Sequence, residues 1–161
     1  MYKVGIVGYG TVGKRVADAI LKQSDMELVG ISAHSYNYKI EVANQKGIPV
    51  FAMNDITEFS ENNIQIKGSI KNLLNQIDVV IDCTPKNIGK QNKEIYYDNY
   101  PNLKAIFQGG EKADIGKSFV AQCNYQECVG QKNIRVVSCN TTGLARTLHA
   151  IDKKWPIQRV R

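Results

Sequence analysis

Apolar residues in this chain fall into short runs, separated by stretches with a helical period. "KVGIV" (3–7) is such a run, of the kind seen in strands buried on both faces. "TVGKRVADAILKQ" (11–23) predicts a helix with Val12, Val16, Ala19 and Ile20 on one face. "MELVGIS" (26–32) reads as a second strand, "NYKIEVANQKG" (37–47) as a helix stopped by Gly47, and "IPVFA" (48–52) as a short strand. "TEFSENN" suggests a short helix, and "IQIKG" (64–68) alternates like an edge strand. "SIKNLLNQI" (69–77) opens on a serine cap and gathers Ile70, Leu73, Leu74 and Ile77. "DVVIDC" (78–83) is a strong strand pattern, and "NIGKQNKEIYYDNY" (87–100) reads as a helix with Ile88, Ile95 and Tyr96 inward. "LKAIFQ" (103–108) is a strand, "GGEKADIG" a loop, and "IRVVS" (134–138) the last clear strand. "TTGLARTLHAIDKKW" (141–155) is a helix carrying Leu144, Leu148 and Ile151, stopped by Pro156, and "IQRVR" begins a further strand.

Strands alternating with helices predict an α/β fold, a doubly wound parallel sheet covered on both faces. The expected division is a Rossmann-type domain over 1–138, then a helix that starts a second domain over 139–161. With 161 residues, 43% hydrophobic and 22% charged, the chain can bury a core and is not of the disordered class. No apolar run approaches the roughly 20 residues that span a bilayer. The amino terminus enters a strand directly, so no targeting peptide is expected and the reading is cytoplasmic, without a membrane partner.

Charge and cysteines change this picture little. The net charge of +6 comes from scattered Lys and Arg, without a basic stripe interleaved with aromatics. No nucleic-acid partner is expected; mild attraction of phosphorylated ligands is. Cys123 and Cys128 are spaced C-x4-C, but no two further soft ligands are spaced to complete a zinc site, so no metal is expected.

"GYGTVG" places Gly8, Gly10 and Gly13 in G-x-G-x-x-G, after the first strand and at the opening of the first helix. In that context the first glycine permits the turn, the second lets a pyrophosphate approach the backbone, and the third lets helix and sheet pack. An NAD-selective site carries an acid about 20 residues further on. Here the second strand ends "GISAHSYN", with no acid at its tip. The cofactor is therefore NADP or NAD, and Ser32 or His34 could contact a 2′-phosphate; an exposed loop histidine is the other reading of His34.

Cys139 ends a β-branched run just before a helix. A thiolate is stabilised at a helix N-terminus, which also suits an oxyanion formed by attack on a carbonyl. Asn140, Thr141 and Thr142 suit the capping position. A buried structural cysteine is the alternative. A nucleophilic cysteine wants a base. His149 lies about 15 Å along the helix at 1.5 Å per residue, and His34 belongs to the second strand, so neither is well placed.

Together, "IVGYGTVGKRVADAI", "DVVIDCTP", "AIFQGGEKA", "CNYQE" and "IRVVSCNTTGLART" resemble archaeal-type glyceraldehyde-3-phosphate dehydrogenase over nearly the whole chain. The resemblance implies that Cys139 attacks the aldehyde of glyceraldehyde 3-phosphate, that NAD or NADP takes the hydride, and that inorganic phosphate releases the thioester. It implies cofactor contacts at Thr11, Val12 and Gly109, and substrate contacts at Ser138, Asn140 and Thr141. Two positions depart from the family: Ala33 stands where many members carry a strand-tip Lys, and Val7 where Asn is usual. The family chain also runs on about as long again, into a domain that supplies the general-base histidine, phosphate-binding basic residues and most of the oligomer interface. The expectation is thus a cofactor-binding part that needs a complementary half or oligomer for turnover. The alternatives are a non-catalytic NAD(P)-binding module and another cysteine-dependent enzyme such as aspartate-semialdehyde dehydrogenase.

Overall fold

The computed structural model describes residues 1–54 and 57–160. In chain order the strands and α-helices are β1 (Tyr2–Val7), α1 (Thr11–Ile20), β2 (Met26–Ala33), α2 (Tyr38–Gln45), β3 (Val50–Ala52), α3 (Thr57–Glu61), β4 (Ile66–Ser69), α4 (Ile70–Leu74), β5 (Val79–Asp82), α5 (Ile88–Ile95), β6 (Lys104–Phe107), β7 (Lys117–Phe119), α6 (Ala121–Cys128), β8 (Asn133–Val136) and α7 (Cys139–Asp152). Among the described residues, the eight strands pair in parallel in the order β4-β3-β2-β1-β5-β6-β8-β7. This is the doubly wound α/β sheet that the alternating pattern predicts.

Alternate residues of the central strands feed two cores. Val4, Ile6, Ile31 and Val50 pack with Ala17 and Ile20 of α1, Ile40 and Ala43 of α2 and Phe59 of α3. Val7, Phe51, Val80 and Phe107 pack on the other face with Ile70, Leu73 and Leu74 of α4 and with Ile77 and Tyr97. Each such large side chain contributes about 1.5–3 kcal/mol by leaving water. α4 opens on a capping box: Asn72 N–H donates to Ser69 Oγ at 3.4 Å, and Ser69 N–H to Asn72 Oδ1 at 2.8 Å.

Several elements differ from the pattern reading. On α1 the buried stripe is Gly13, Ala17 and Ile20, while Val12 and Ala19 are exposed. Close packing of Gly13 on the preceding turn rotates the helix that way. On α5, Ile88 and Ile95 face outward and Gly89 and Asn92 inward. The amide of Asn92 has a buried acceptor, and Gly89 fits beside Phe107, so this helix packs through a polar and a small residue. The "GGEKADIG" loop contains a 3-10 turn, Ala113–Ile115, that buries Ile115. β7 and α6 carry no clear periodic signal; α6 is kinked at Asn124, whose side chain accepts from Val120 N–H and donates to Ser118 O. α7 starts at Cys139 rather than Thr141, and none of its residues is buried. No strand forms over 156–160, and Arg161 lies outside the described residues. No helix among the described residues is long and apolar enough to cross a membrane.

Candidate functional site

Because the strands are parallel, their carboxyl ends share one edge of the sheet. The chain winds to one side after β1 and to the other after β5, and these two strands are neighbours. The edge there is a topological switch point, where loops part and leave a crevice. A cleft of about 710 Å³ opens at this place, lined by Gly8, Tyr9 and Gly10 after β1, Ser32 to Ser35 at and just after the end of β2, Cys83 to Pro85 after β5, the start of α2 and one side of α5 from Ile88 to Ile95.

The glycines of the first turn have separate duties. Gly8 adopts φ +87°, and its N–H donates to Ser32 O at 3.0 Å. A Cβ on Gly13 would lie 2.1 Å from Gly8 O, so only glycine lets α1 close on the turn. Gly10 is the N-cap of α1 without a side-chain cap, and a Cβ there would point into open space. The first N–H groups of α1 are thus free to meet an anion. Thr11 lines an adjoining cleft of about 400 Å³ with Gly10, Lys14, Arg15, Asp18, Tyr38 and Lys39.

Beneath the crevice lies a buried carboxylate that the pattern reading missed. Asp82 is 1% exposed. It accepts from Thr84 N–H at 2.9 Å, Asn92 Nδ2 at 2.9 Å, Tyr97 OH at 2.6 Å and the Thr84 hydroxyl. These bonds fix the Cys83–Pro85 loop and tie it to α5. Burial, reinforced by the Asp82 charge, holds the Tyr97 phenol well above its ordinary value, so it remains a donor. The same two causes push the Cys83 thiol up to about 12, which makes it an inert wall of the crevice. One acid ending an apolar run, "VVID", was the signal available for Asp82. Glu111, also buried, had none: its Oε1 accepts from Gly89 N–H at 3.1 Å, and its carbonyl from Arg135 Nη1 at 2.9 Å.

The thiol of Cys139 belongs to a second cleft on the same edge, about 540 Å³, lined by Val12, Gln108, Gly110, Val136, Ser138, Thr142 and Arg146 among others. β8 is three places from β1 in the sheet, about 14 Å at the usual strand spacing. Val12 nevertheless reaches this cleft from α1, bringing the glycine turn and the thiol together. Gly109 itself packs against the neighbouring loop: a Cβ on it would meet Thr84 O at 2.1 Å, and its neighbours Gln108 and Gly110 face the thiol cleft.

Cys139 is exposed and is the first residue of α7. The N-cap is Ser138, not Asn140, Thr141 or Thr142. Its Oγ accepts from Thr141 N–H at 3.2 Å and lies 2.9 Å from Thr141 Oγ1. Ser wins because its hydroxyl lies over the first turn, where the otherwise orphan Thr141 N–H waits. Asn140 Oδ1 lies 3.9 Å from Cys139 Sγ. His34 is at the end of β2 with Nε2 2.8 Å from Asn54 Nδ2, and His149 is near the far end of α7. The structure brings neither histidine to the thiol cleft as lined.

A family profile described as dihydrodipicolinate reductase, N-terminus, matches residues 2–103. A glyceraldehyde-3-phosphate dehydrogenase from Saccharolobus islandicus (strain M.16.27) is 50% identical over 163 aligned residues, covering 100% of this chain and 47% of that protein. One from Pyrococcus abyssi (strain GE5 / Orsay) is 49% identical over 92% of this chain and 45% of its own length. The chain spans about half the length of the curated relatives it matches. Among solved structures, aspartate semialdehyde dehydrogenase with NADP from Candida albicans superposes over 98% of this chain and 48% of its own, at TM-score 0.63 and 18% identity, a likeness of fold alone. The chain therefore belongs to the family described as dihydrodipicolinate reductase, N-terminus, and is similar over nearly all or all of its length to about half of curated glyceraldehyde-3-phosphate dehydrogenases.

Proposed function

We propose that this chain is the cofactor-binding and nucleophile-bearing part of a phosphorylating, NAD(P)-dependent glyceraldehyde-3-phosphate dehydrogenase. The observation that carries the reading is the shared edge: the glycine turn and an exposed thiol at a helix N-terminus meet at Val12. The residues suit a dinucleotide. Gly10 leaves open space before α1 where phosphates fit, and the fully buried Ser32 Oγ on the crevice wall has no partner of its own. Gly8, Gly10, Thr11, Val12 and Gly13 form or flank the cofactor seat, with Gly109 holding the loop behind it.

Cys139 attacks the aldehyde carbon of glyceraldehyde 3-phosphate, forming a C–S bond and an oxyanion beside the first N–H groups of α7. NAD(P), when bound, accepts the hydride that leaves this carbon. Inorganic phosphate then adds to the thioester and the C–S bond breaks, returning the thiolate. Asn140 is near enough to orient the sulfur, and Ser138 and Thr141 hold the helix end that faces substrate. The base for the thiol comes from the remainder of the enzyme, in the same or a complementary chain, or in an oligomer. The exposed Leu144, Ile151 and Trp155 on and just after α7 support such a covering partner. The cytoplasm fits an enzyme of this chemistry.

A cofactor-binding module without catalysis is the second reading, favoured by the distance of both histidines from Cys139. Two experiments decide. Gly10→Val should weaken NAD(P) binding at least about tenfold in calorimetry, since a branched side chain fills the phosphate seat; unchanged affinity would remove the seat. The full-length enzyme should reduce NAD(P) with glyceraldehyde 3-phosphate only when phosphate is present. Preference for aspartate semialdehyde, or indifference to phosphate, would contradict the assignment.

A further inference from the structure

A nicotinamide dinucleotide in the crevice places its adenosine ribose at the end of β2, and the surroundings there are cationic in an unusual way. The strand ends Ser32, Ala33, His34, Ser35, with no carboxylate to receive a free 2′-hydroxyl. The main crevice and the 400 Å³ cleft beside it share Gly10, Tyr38 and Lys39. That side cleft also carries Lys14 and Arg15, and the carboxylate on its wall, Asp18, is already paired with Lys46 at 2.6 Å. The acids near α2 are engaged too: Glu58 accepts from Tyr36 N–H at 3.2 Å, and Glu41 from Tyr36 OH at 3.3 Å and Gln45 Nε2 at 3.3 Å. Among the described residues no carboxylate lies within 4.0 Å of Lys39 Nζ, which rests 5.9 Å from the Tyr38 ring centroid. Among the described residues Lys39 therefore has no ion-pair partner of its own at the mouth of the crevice.

An independent observation points to a ligand in the same place. Ser32 is 0% exposed, lines the crevice, and its Oγ has no hydrogen-bond partner. A buried hydroxyl of this kind is satisfied when something polar enters the crevice. Asn54 Nδ2 donates to His34 Nε2 at 2.8 Å, which leaves Nδ1 of that ring as a further donor at the strand tip.

We propose that the end of β2 selects the 2′-phosphorylated dinucleotide, and that Lys39 of α2 is the cation that discriminates. The charge comes from the first turn of α2 instead of the strand tip, where Ala33 stands. Lys39 meets the 2′-phosphate, Ser32 serves the ribose, and Lys14 and Arg15 add to the field. The inference rests on the crevice holding a nicotinamide dinucleotide.

The test is calorimetric titration of the full chain with NADP⁺ and with NAD⁺, for wild type, Lys39→Gln, Lys39→Glu and Lys39→Arg. Wild type should bind NADP⁺ about tenfold or more tighter, the worth of a charge-assisted contact. Lys39→Gln should bring the ratio of the two dissociation constants toward one, Lys39→Glu should bring it below one, and Lys39→Arg should keep it. If both cofactors bind but wild type shows no preference for NADP⁺, or Lys39→Gln keeps the preference, the proposal is overturned while the dinucleotide reading stands. If neither cofactor binds, the reading of the crevice falls and the proposal with it.

Discussion

Asp82 shows how one side chain can organise a crevice from beneath. Its carboxylate collects four hydrogen bonds inside the protein, so its removal strands three polar partners away from water. Asp82→Ala should cost about 3 kcal/mol or more in urea unfolding, because a buried hydroxyl and amide lose their acceptor. A loss under 1 kcal/mol would mean that the network is not what holds the loop. Cys83, next along the chain, makes a pH prediction. Burial, with the Asp82 charge behind it, pushes its thiol from an ordinary 9.0 up to about 12 in the folded chain. Between those values the unfolded state has released a proton that the native state keeps, so rising pH favours unfolding. The contribution is whole below pH 9 and fades by up to about 1.4 kcal/mol per pH unit above it. Tyr97 acts in the same direction from pH 10 upward. Cys83→Ala should flatten the stability curve between pH 9 and 10; a curve parallel to wild type there would contradict the assignment. At this scale the sequence was partly readable. Gly8, Gly10 and Gly13 announced the turn because backbone geometry dictates residue type. Lys39 and Glu111 announced nothing, since a charge in a polar stretch looks alike whether solvated or aimed at a cleft.

The helices divide by how much of each is covered. α4 is fastened by four apolar residues over 70–77, all in one core, and its pattern alone placed it. α7 shows a similar apolar period, yet Leu144 is 67% exposed and no residue of the helix is buried. Periodicity reports that a helix has an apolar face; it does not report that the partner surface is in the same domain. Leu73→Ala should therefore destabilise this chain by about 2–5 kcal/mol, and Leu144→Ala by no more than about 0.5 kcal/mol. Equal losses in thermal or urea unfolding would mean that α7 is packed as firmly as α4. α5 is the opposite lesson. Its isoleucines face out because Asn92 has a better partner inside, and hydrophobicity patterns cannot see a buried carboxylate. β7 and α6 were missed because three-residue strands and kinked helices carry too few positions for a period.

For the whole molecule, parallel pairing is what creates the clefts. It puts every strand's carboxyl end on one edge, so loops after β1, β2, β5, β6 and β8 converge however far apart they are in sequence. That convergence gathers the glycine turn, the end of β2 and an exposed thiol along one edge. The fold class was readable from strand–helix alternation, and the glycine turn and the thiol at a helix start from two short motifs. The meeting of the glycine turn and the thiol at Val12 was not, because it depends on strand order, and no local pattern encodes which strands become neighbours.

The most direct measurement is intact-protein mass spectrometry of the full-length enzyme, mixed with glyceraldehyde 3-phosphate and NADP⁺ without phosphate. Wild type should gain one acyl group, located on Cys139 by peptide mapping and released on adding phosphate, and Cys139→Ser should gain none. Equal acylation of the variant, or an acyl group on Cys83, Cys123 or Cys128, would contradict the account.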